Sequence, residues 1–417
     1  MTELRRAIGL ADAVGIGIGA IVGAGIFVVS GIAAGMAGPA VVLAILIAGV
    51  PATANALSSA QLAASFPQSG GTYEYGYRLL HPWLGYTAGW MFLASKSAAA
   101  GTVALGLAAY LEAVAPGVPP RALAVTAVVL FTVLNAFGVR RTSRVNLAIV
   151  TFSVGSLVLL VVAGLPALSS ANFTPFAPTG WEGVLQAAAL LFFAYTGYAR
   201  IATLGEEVKD PRRTIPRAIV LSLTVTGLLY AAVLVIGVGV IGTPGLSAGD
   251  APLQATAEAL RPAFVAPLVS LGGVVAMLGV MLSQILGLSR MVFAMARRGD
   301  LPANLSRVDP RHGVPRSAIL LVGFVAALIA ATGTLSGVAA AAAFTILVYY
   351  GIANLAALRL RGEARLYPRA VPTVGLAACA ILAAALPWET IVTGLVVLAA
   401  GVVLRLAQRA FHRVRGT

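Results

Sequence analysis

Twelve long apolar runs dominate the sequence, and they leave the chain few ways to fold. They cover 11–34, 39–64, 83–114, 121–138, 145–165, 182–204, 214–241, 263–296, 317–333, 335–358, 371–387 and 389–408. A helix crosses the hydrocarbon of a bilayer with about 20 mostly apolar residues. The runs therefore predict an all-α polytopic membrane protein with 12 transmembrane helices, one membrane domain over 1–417. Only 10% of residues are charged, against about 25% in soluble domains. No polar stretch is long enough for a separate soluble domain. Arg5 and Arg6 precede the first run as they would in a signal peptide. That run is longer than a signal core of about 7–15 residues and rich in glycine, so it is expected to be retained.

The formal net charge of +14 suggests nucleic acid in a soluble protein and topology in a membrane protein. With the N-terminus inside, 23 of the 28 Lys and Arg fall on inner segments and two, Arg121 and Arg261, on outer loops. That bias predicts both termini in the cytoplasm. The basic excess then faces anionic lipid, and no nucleic-acid partner is needed. The single cysteine, Cys379, excludes an intramolecular disulfide and a cysteine metal cluster. His81, His312 and His412 are scattered without ligand spacing, so no metal is expected. Asn172-Phe173-Thr174 matches a glycosylation acceptor, a weak three-residue signal.

The first run reads Gly15-Ile-Gly17-Ile-Gly19-Ala-Ile-Val-Gly23-Ala-Gly25, five glycines in eleven residues. Each costs about 1 kcal/mol in a helix interior relative to alanine. Glycine here marks close helix packing or an unwound segment with bare backbone turned to a ligand. A dinucleotide fingerprint fails, because Val22 and Ala20 stand where the third glycine is due. The sixth run reads Phe193-Ala-Tyr195-Thr-Gly197-Tyr198, with a Thr-Gly pair in mid-span. It takes the place of the first run if the chain repeats every five helices, the second repeat inverted. Paired interruptions in two halves point to a transporter site at the bilayer midplane. The halves are about 11–166 and 182–360, with 371–408 appended. Freed N–H groups of half-helices attract a carboxylate and freed C=O groups an ammonium. Two breaks side by side suit a zwitterion, and irregular backbone is tolerable where it lines a cavity.

These residues resemble the amino acid–polyamine–organocation permeases. Gly23-Ala-Gly25-Ile26-Phe27 looks like their first-helix signature. Pro67-Gln-Ser-Gly70-Gly71-Thr-Tyr73-Glu-Tyr75, running to Gly89-Trp90, resembles their first inner loop. Phe192 to Tyr198, then Glu206-Glu207-Val-Lys209-Asp-Pro211, resembles the sixth helix and its following loop. Ala296-Arg297-Arg298-Gly299-Asp300-Leu301-Pro302 resembles the end of the eighth. The resemblance implies a leucine-transporter-type fold with helices 1 and 6 discontinuous, and amino-acid transport by alternating access. It implies that Ile21, Gly23, Ala24 and Gly25 hold the substrate carboxylate and that Phe193, Ala194 and Thr196 hold the amine. Gly197 and Tyr198 would form the break and gate. Two positions depart from the family. Ser153 stands where proton-coupled members carry a lysine in helix five. Ala199, followed by Arg200, stands where cation-selective relatives carry an acid.

Lys96 lies in mid-span, where a lysine costs about 3 kcal/mol on insertion scales and is functional by default. It is the candidate proton carrier in place of the lysine missing at Ser153. Arg200 is a gate or a partner of Glu206 or Glu207, which otherwise order their loop. Gln284 is a pocket residue or a bundle hydrogen bond. Tyr349, Tyr350 and Asn354 read as packing. The expected function is secondary transport of L-amino acids, neutral before acidic and acidic before cationic, proton-coupled or exchanging, in the cell (inner) membrane. Expected partners are the amino acid, membrane lipids and protons, with no cofactor. The alternatives are a polyamine or cationic amino acid transporter and a sodium-coupled symporter with Ser283 or Ser289 as oxygen donors; less expected is a channel. An enzyme would need clustered His, Asp, Glu or Ser at depth, where only Lys96 stands. No Gly-x-x-x-x-Gly-Lys motif offers direct ATP drive.

Overall fold

The computed structural model of the chain describes residues 9–66, 70–112, 117–138, 143–198 and 208–414, and within them each apolar run is mostly helical. The first run is divided into α1 (Leu10–Ile21), a π turn (Gly25–Val29) and α2 (Ser30–Ala37). There follow α3 (Val41–Ser65), α4 (Thr72–Leu79), α5 (Pro82–Glu112), α6 (Pro120–Ala136), α7 (Ser143–Gly164) and α8 (Gly180–Tyr195). The second half holds α9 (Pro211–Ser247), α10 (Pro252–Glu258), α11 (Val265–Arg297), α12 (Arg316–Thr332), α13 (Leu335–Leu358), α14 (Ala370–Ala385) and α15 (Trp388–Val414). Prolines open α5, α6, α9 and α10. At the first helical position the missing N–H had no intrahelical partner to lose.

Seven helices among the described residues are long and apolar enough to cross a membrane: the stretch Gly25–Ser65, α5, and most or all of α7, α9, α11, α13 and α15. α1, α6, α12 and α14 are shorter apolar helices. Two helices lie where the sequence reads loops. α4 fills the loop between the second and third runs, and α10 follows the seventh. α9 also outruns its apolar run and kinks at Gly242, whose φ of 67° a side chain would resist.

Burial separates centre from rim. In the most apolar windows of α5 and α13, 72% of residues are buried, against 28% for α7 and 17% for α15. Phe324, Val396 and Val403 are more than 60% exposed. In water such a surface would be a liability; in hydrocarbon it meets a matching solvent.

Candidate functional site

The first interruption begins where the helical ladder of α1 ends. Val22 N–H donates to the Ile18 carbonyl at 2.9 Å, but Val22 itself is extended, with ψ 117°. Gly23 turns the chain, and its carbonyl accepts from the N–H groups of Ile26 and Phe27 at 3.2 and 3.4 Å. The helix then resumes through the π turn. The N–H groups of its first residues, Ala24 and Gly25 among them, have no acceptor within their own helix. The weakness is local. Gly19 before Val22, and Gly23 and Gly25 after it, give the helix little propensity to bridge the bend.

The second expected break falls at the end of α8. Phe193 O accepts from both the N–H and the hydroxyl of Thr196, the latter at 2.9 Å, and a single 3-10 turn, Thr196–Tyr198, closes the described segment. The two interruptions touch. A Cβ on Gly197 would overlap the Ala20 carbonyl and come within 2.6 Å of Ile21 N. A Cβ on Gly25 would lie 2.6 Å from Ala194 Cβ and overlap the Ala194 backbone. Only glycine at these two places lets the main chains meet. Tyr230 of α9 joins them further, since its hydroxyl lies 3.0 Å from Ile21 O and 3.5 Å from Ala194 O.

A cavity of about 1490 Å³ opens beside the two interruptions. Ile21, Gly23, Ala24, Gly25, Phe193, Ala194, Thr196 and Gly197 all lie on its wall, with Lys96, Ser153 and Gln284. Residues from five of the twelve apolar runs, proposed as a site from sequence, are thus brought to one surface. Tyr198 is not on that wall. It is fully buried behind it, its ring 5.5 Å from that of Tyr350, which is on the wall. Arg200, Ala199, Glu206 and Glu207 lie outside the described residues.

Lys96 is half-buried on α5, and no carboxylate among the described residues pairs with it. Gln284 Nε2 donates to the Lys96 backbone carbonyl at 3.4 Å, linking α11 to α5. Ser153 Oγ donates to Gly272 O at 3.2 Å, so its hydroxyl proton is committed. Ser283 also lies on the wall and bonds to carbonyls of its own helix, whereas Ser289 is buried away from it.

The cavity has a mouth at the end of α11. It runs to Arg297 and Arg298 at the end of α11 and to Tyr73, Glu74 and Tyr75 of α4. At the opposite side Tyr110 donates its hydroxyl to Phe27 O at 2.6 Å with the two rings edge-on, and both residues are fully buried. At the mouth, Glu74 holds an ion pair with Arg78 at 2.5 Å and a second with Arg298. Tyr73 and Tyr77 donate to Asp300 Oδ2 at 2.7 and 2.5 Å. Burial, and then the Asp300 carboxylate, hold both phenols above their ordinary range. Arg405 of α15 reaches in, with Nη2 3.0 Å from the Tyr77 hydroxyl and its guanidinium over the Trp83 and Tyr86 rings. The motifs from Gly70 to Tyr75 and from Ala296 to Pro302, far apart in sequence, form this mouth together. Tyr230 and Arg405 escaped the sequence reading. One tyrosine in an apolar run and one arginine near a terminus give no local signal.

The sequence model of the amino acid permease family matches residues 12–409. An uncharacterized transporter of Mycobacterium tuberculosis is 44% identical over 99% of this chain and 93% of its own length. The branched-chain amino acid permease BcaP of Bacillus subtilis is 31% identical over 96% of this chain and 92% of its own. A methylthioribose transporter of the same organism is 32% identical over 83% and 80%.

Proposed function

The chain belongs to the amino acid permease family, and from that premise we propose that it carries L-amino acids, neutral ones first, across the cell membrane by alternating access. The observation that carries the reading is the meeting of the interrupted first helix with the end of α8 on the wall of one cavity. The resumed helix after Gly23 offers unpaired N–H groups at its positive end, which suit a carboxylate. The end of α8 offers carbonyls to an ammonium. Phe193 O already accepts twice from Thr196, so the amine leans on the other carbonyls of the break. Around them Phe92, Val103, Ile149, Val150 and Val280 line the cavity with apolar surface, which suits an uncharged side chain. A relative named for branched-chain amino acids is in keeping with that.

In this reading the fold is the leucine-transporter type, with twelve spans, inverted repeats at about 11–166 and 182–360, and 371–408 appended. Both termini are cytoplasmic, so the mouth at Arg297 and Arg298 faces the cytoplasm and the cavity is the inward-open state. Tyr198 and Arg200 gate it, Gln284 borders the substrate, and Lys96 carries the coupling proton where the family lysine is replaced by Ser153. Reporters after Thr417 and near Gly245 test the topology by falling on opposite sides of the membrane.

The transport test is counterflow of labelled amino acid in proteoliposomes against a panel of competitors. Leucine and its neighbours are expected to compete, and esterified, N-acetylated or decarboxylated analogues to fail. Competition by the decarboxylated analogue, or by methylthioribose in place of amino acids, overturns the zwitterion site. Flux without counterflow would make the chain a channel.

A further inference from the structure

Away from the cavity, the packed interface of α3, α13 and α14 carries many polar groups for a membrane interior. Asn55, Ser58 and Gln61 follow one another along α3 at three-residue spacing, fully buried, as is Asn354 of α13. Cys379 of α14 is 2% exposed. Asn354 Nδ2 donates to Asn55 Oδ1 at 2.6 Å, and Asn55 Nδ2 to Cys379 Sγ at 3.3 Å. Four polar atoms are then left without a protein partner: Ser58 Oγ, both amide atoms of Gln61, and Asn354 Oδ1. None of these five residues lines the cavity.

An unsatisfied buried polar atom costs about 1–3 kcal/mol, and hydrocarbon offers no partner in exchange. Ordered water occupies interiors where a few otherwise unpaired groups converge. We propose that the α3–α13–α14 interface holds an internal water site that bridges Ser58 and Gln61 to Asn354. Water fits this set better than a cation. Gln61 Nε2 is a donor, which a cation repels and a water oxygen accepts. The buried carboxylate among the described residues, Glu74, is committed to Arg78 and Arg298. Asn354 Nδ2 also donates to Tyr350 O at 2.9 Å, and the Tyr350 ring rests on Tyr198. The hydrated seam therefore backs on the turn that ends α8.

Cys379 is the single cysteine of the chain, so the infrared S–H band reports on this seam alone. The full chain, reconstituted in lipid, is transferred to D₂O. Water in the seam converts the band to S–D within minutes. Gln61→Leu with Ser58→Ala, which removes three of the four orphan atoms, slows that conversion by roughly tenfold or more, because exchange then needs local opening. Thermal unfolding of Gln61→Leu gives an independent answer. With water satisfying the amide, the midpoint stays or falls; in a dry seam, deleting unpaired polar atoms raises it. A band that persists in D₂O, equal exchange in the double variant, or a raised midpoint overturns the proposal. Exchange slowed by sodium at constant ionic strength overturns it in favour of a cation.

Discussion

Gly197→Ala adds one methyl group where the two interrupted helices touch. The φ of Gly197 is one that any residue adopts, so space alone decides the outcome. The new Cβ would stand 2.6 Å from Ile21 N and inside the Ala20 carbonyl. Carbon contacts are comfortable at about 3.5 Å or more, and the Ala20 carbonyl is nearer the new Cβ than Ile21 N is, so the end of α1 must part from the α8 turn by more than about 1 Å. Overpacking by one methyl costs about 1–3 kcal/mol, which a helical bundle survives. A 1 Å misplacement at a site that holds its ligand by geometry costs about a hundredfold. The variant is therefore expected to purify as a folded protein and to lose counterflow activity by about that factor. Gly15→Ala is the control. It lies on the same helix, and its Cβ meets nothing within 4 Å, so activity stays within about twofold while helix propensity improves. Both are measured in proteoliposomes at equal protein, with size-exclusion profiles as the folding check. Near-native counterflow in Gly197→Ala would refute the argument that the two breaks form one site by backbone contact.

Tyr230→Phe keeps the ring and removes the hydroxyl from Ile21 O and Ala194 O; with a buried carbonyl unsatisfied at about 1–3 kcal/mol, counterflow should fall several-fold, and an unchanged rate would make the tyrosine mere packing. Lys96→Met should abolish the response of uptake to an imposed pH gradient while exchange survives, and Lys96→Arg should transport poorly because arginine keeps its proton; a sodium requirement in the wild type, or an unchanged pH response in the mutant, removes Lys96 from coupling. Tyr73 and Tyr77 hold their phenol protons more tightly folded than unfolded, so the folded state binds more protons above pH about 10 and stability falls as pH rises further; thermal midpoints between pH 9 and 11 should drop less in a Tyr73→Phe, Tyr77→Phe double variant.

The helices were legible because hydrocarbon demands length and apolarity, and both are visible in one dimension. The breaks were legible for the opposite reason. Five glycines between Gly15 and Gly25, and Thr196-Gly197 in a span, are poor material where every backbone group needs a partner. What escaped depends on partners distant in sequence. Nothing near Tyr230 says that its hydroxyl ends between two carbonyls more than thirty residues away. α4 escaped because eight residues between glycines and a histidine read as a loop; it is ordered by Glu74, Tyr73 and Tyr77 gripping the end of α11. The Tyr198 ring packs on Tyr350 behind the cavity wall, a choice of rotamer and packing that sequence spacing does not carry.

The charges of the cavity bear on what it can hold. Lys96 stands on its wall, and Arg290, Arg297 and Arg298 line it toward the mouth. Among the described residues the one carboxylate on the wall, Glu74, faces two guanidiniums. Among the described residues the cavity charges are thus mostly positive, and the breaks themselves present backbone dipoles. Two unit charges 4 Å apart interact by about 4 kcal/mol at an effective dielectric of 20, so a cationic side chain directed at Lys96 would forfeit affinity by orders of magnitude while the ammonium is charged. A zwitterion evades this. On the proposed reading its carboxylate and amine would be answered by opposite helix ends, and its side chain need add no charge. If Lys96 releases its proton during the cycle, the repulsion is relieved in one state and restored in another. The group proposed to couple transport to protons would then also discriminate against cationic substrates, and Lys96→Met should lose pH drive and exclusion of lysine together. Loss of one without the other would separate the two roles.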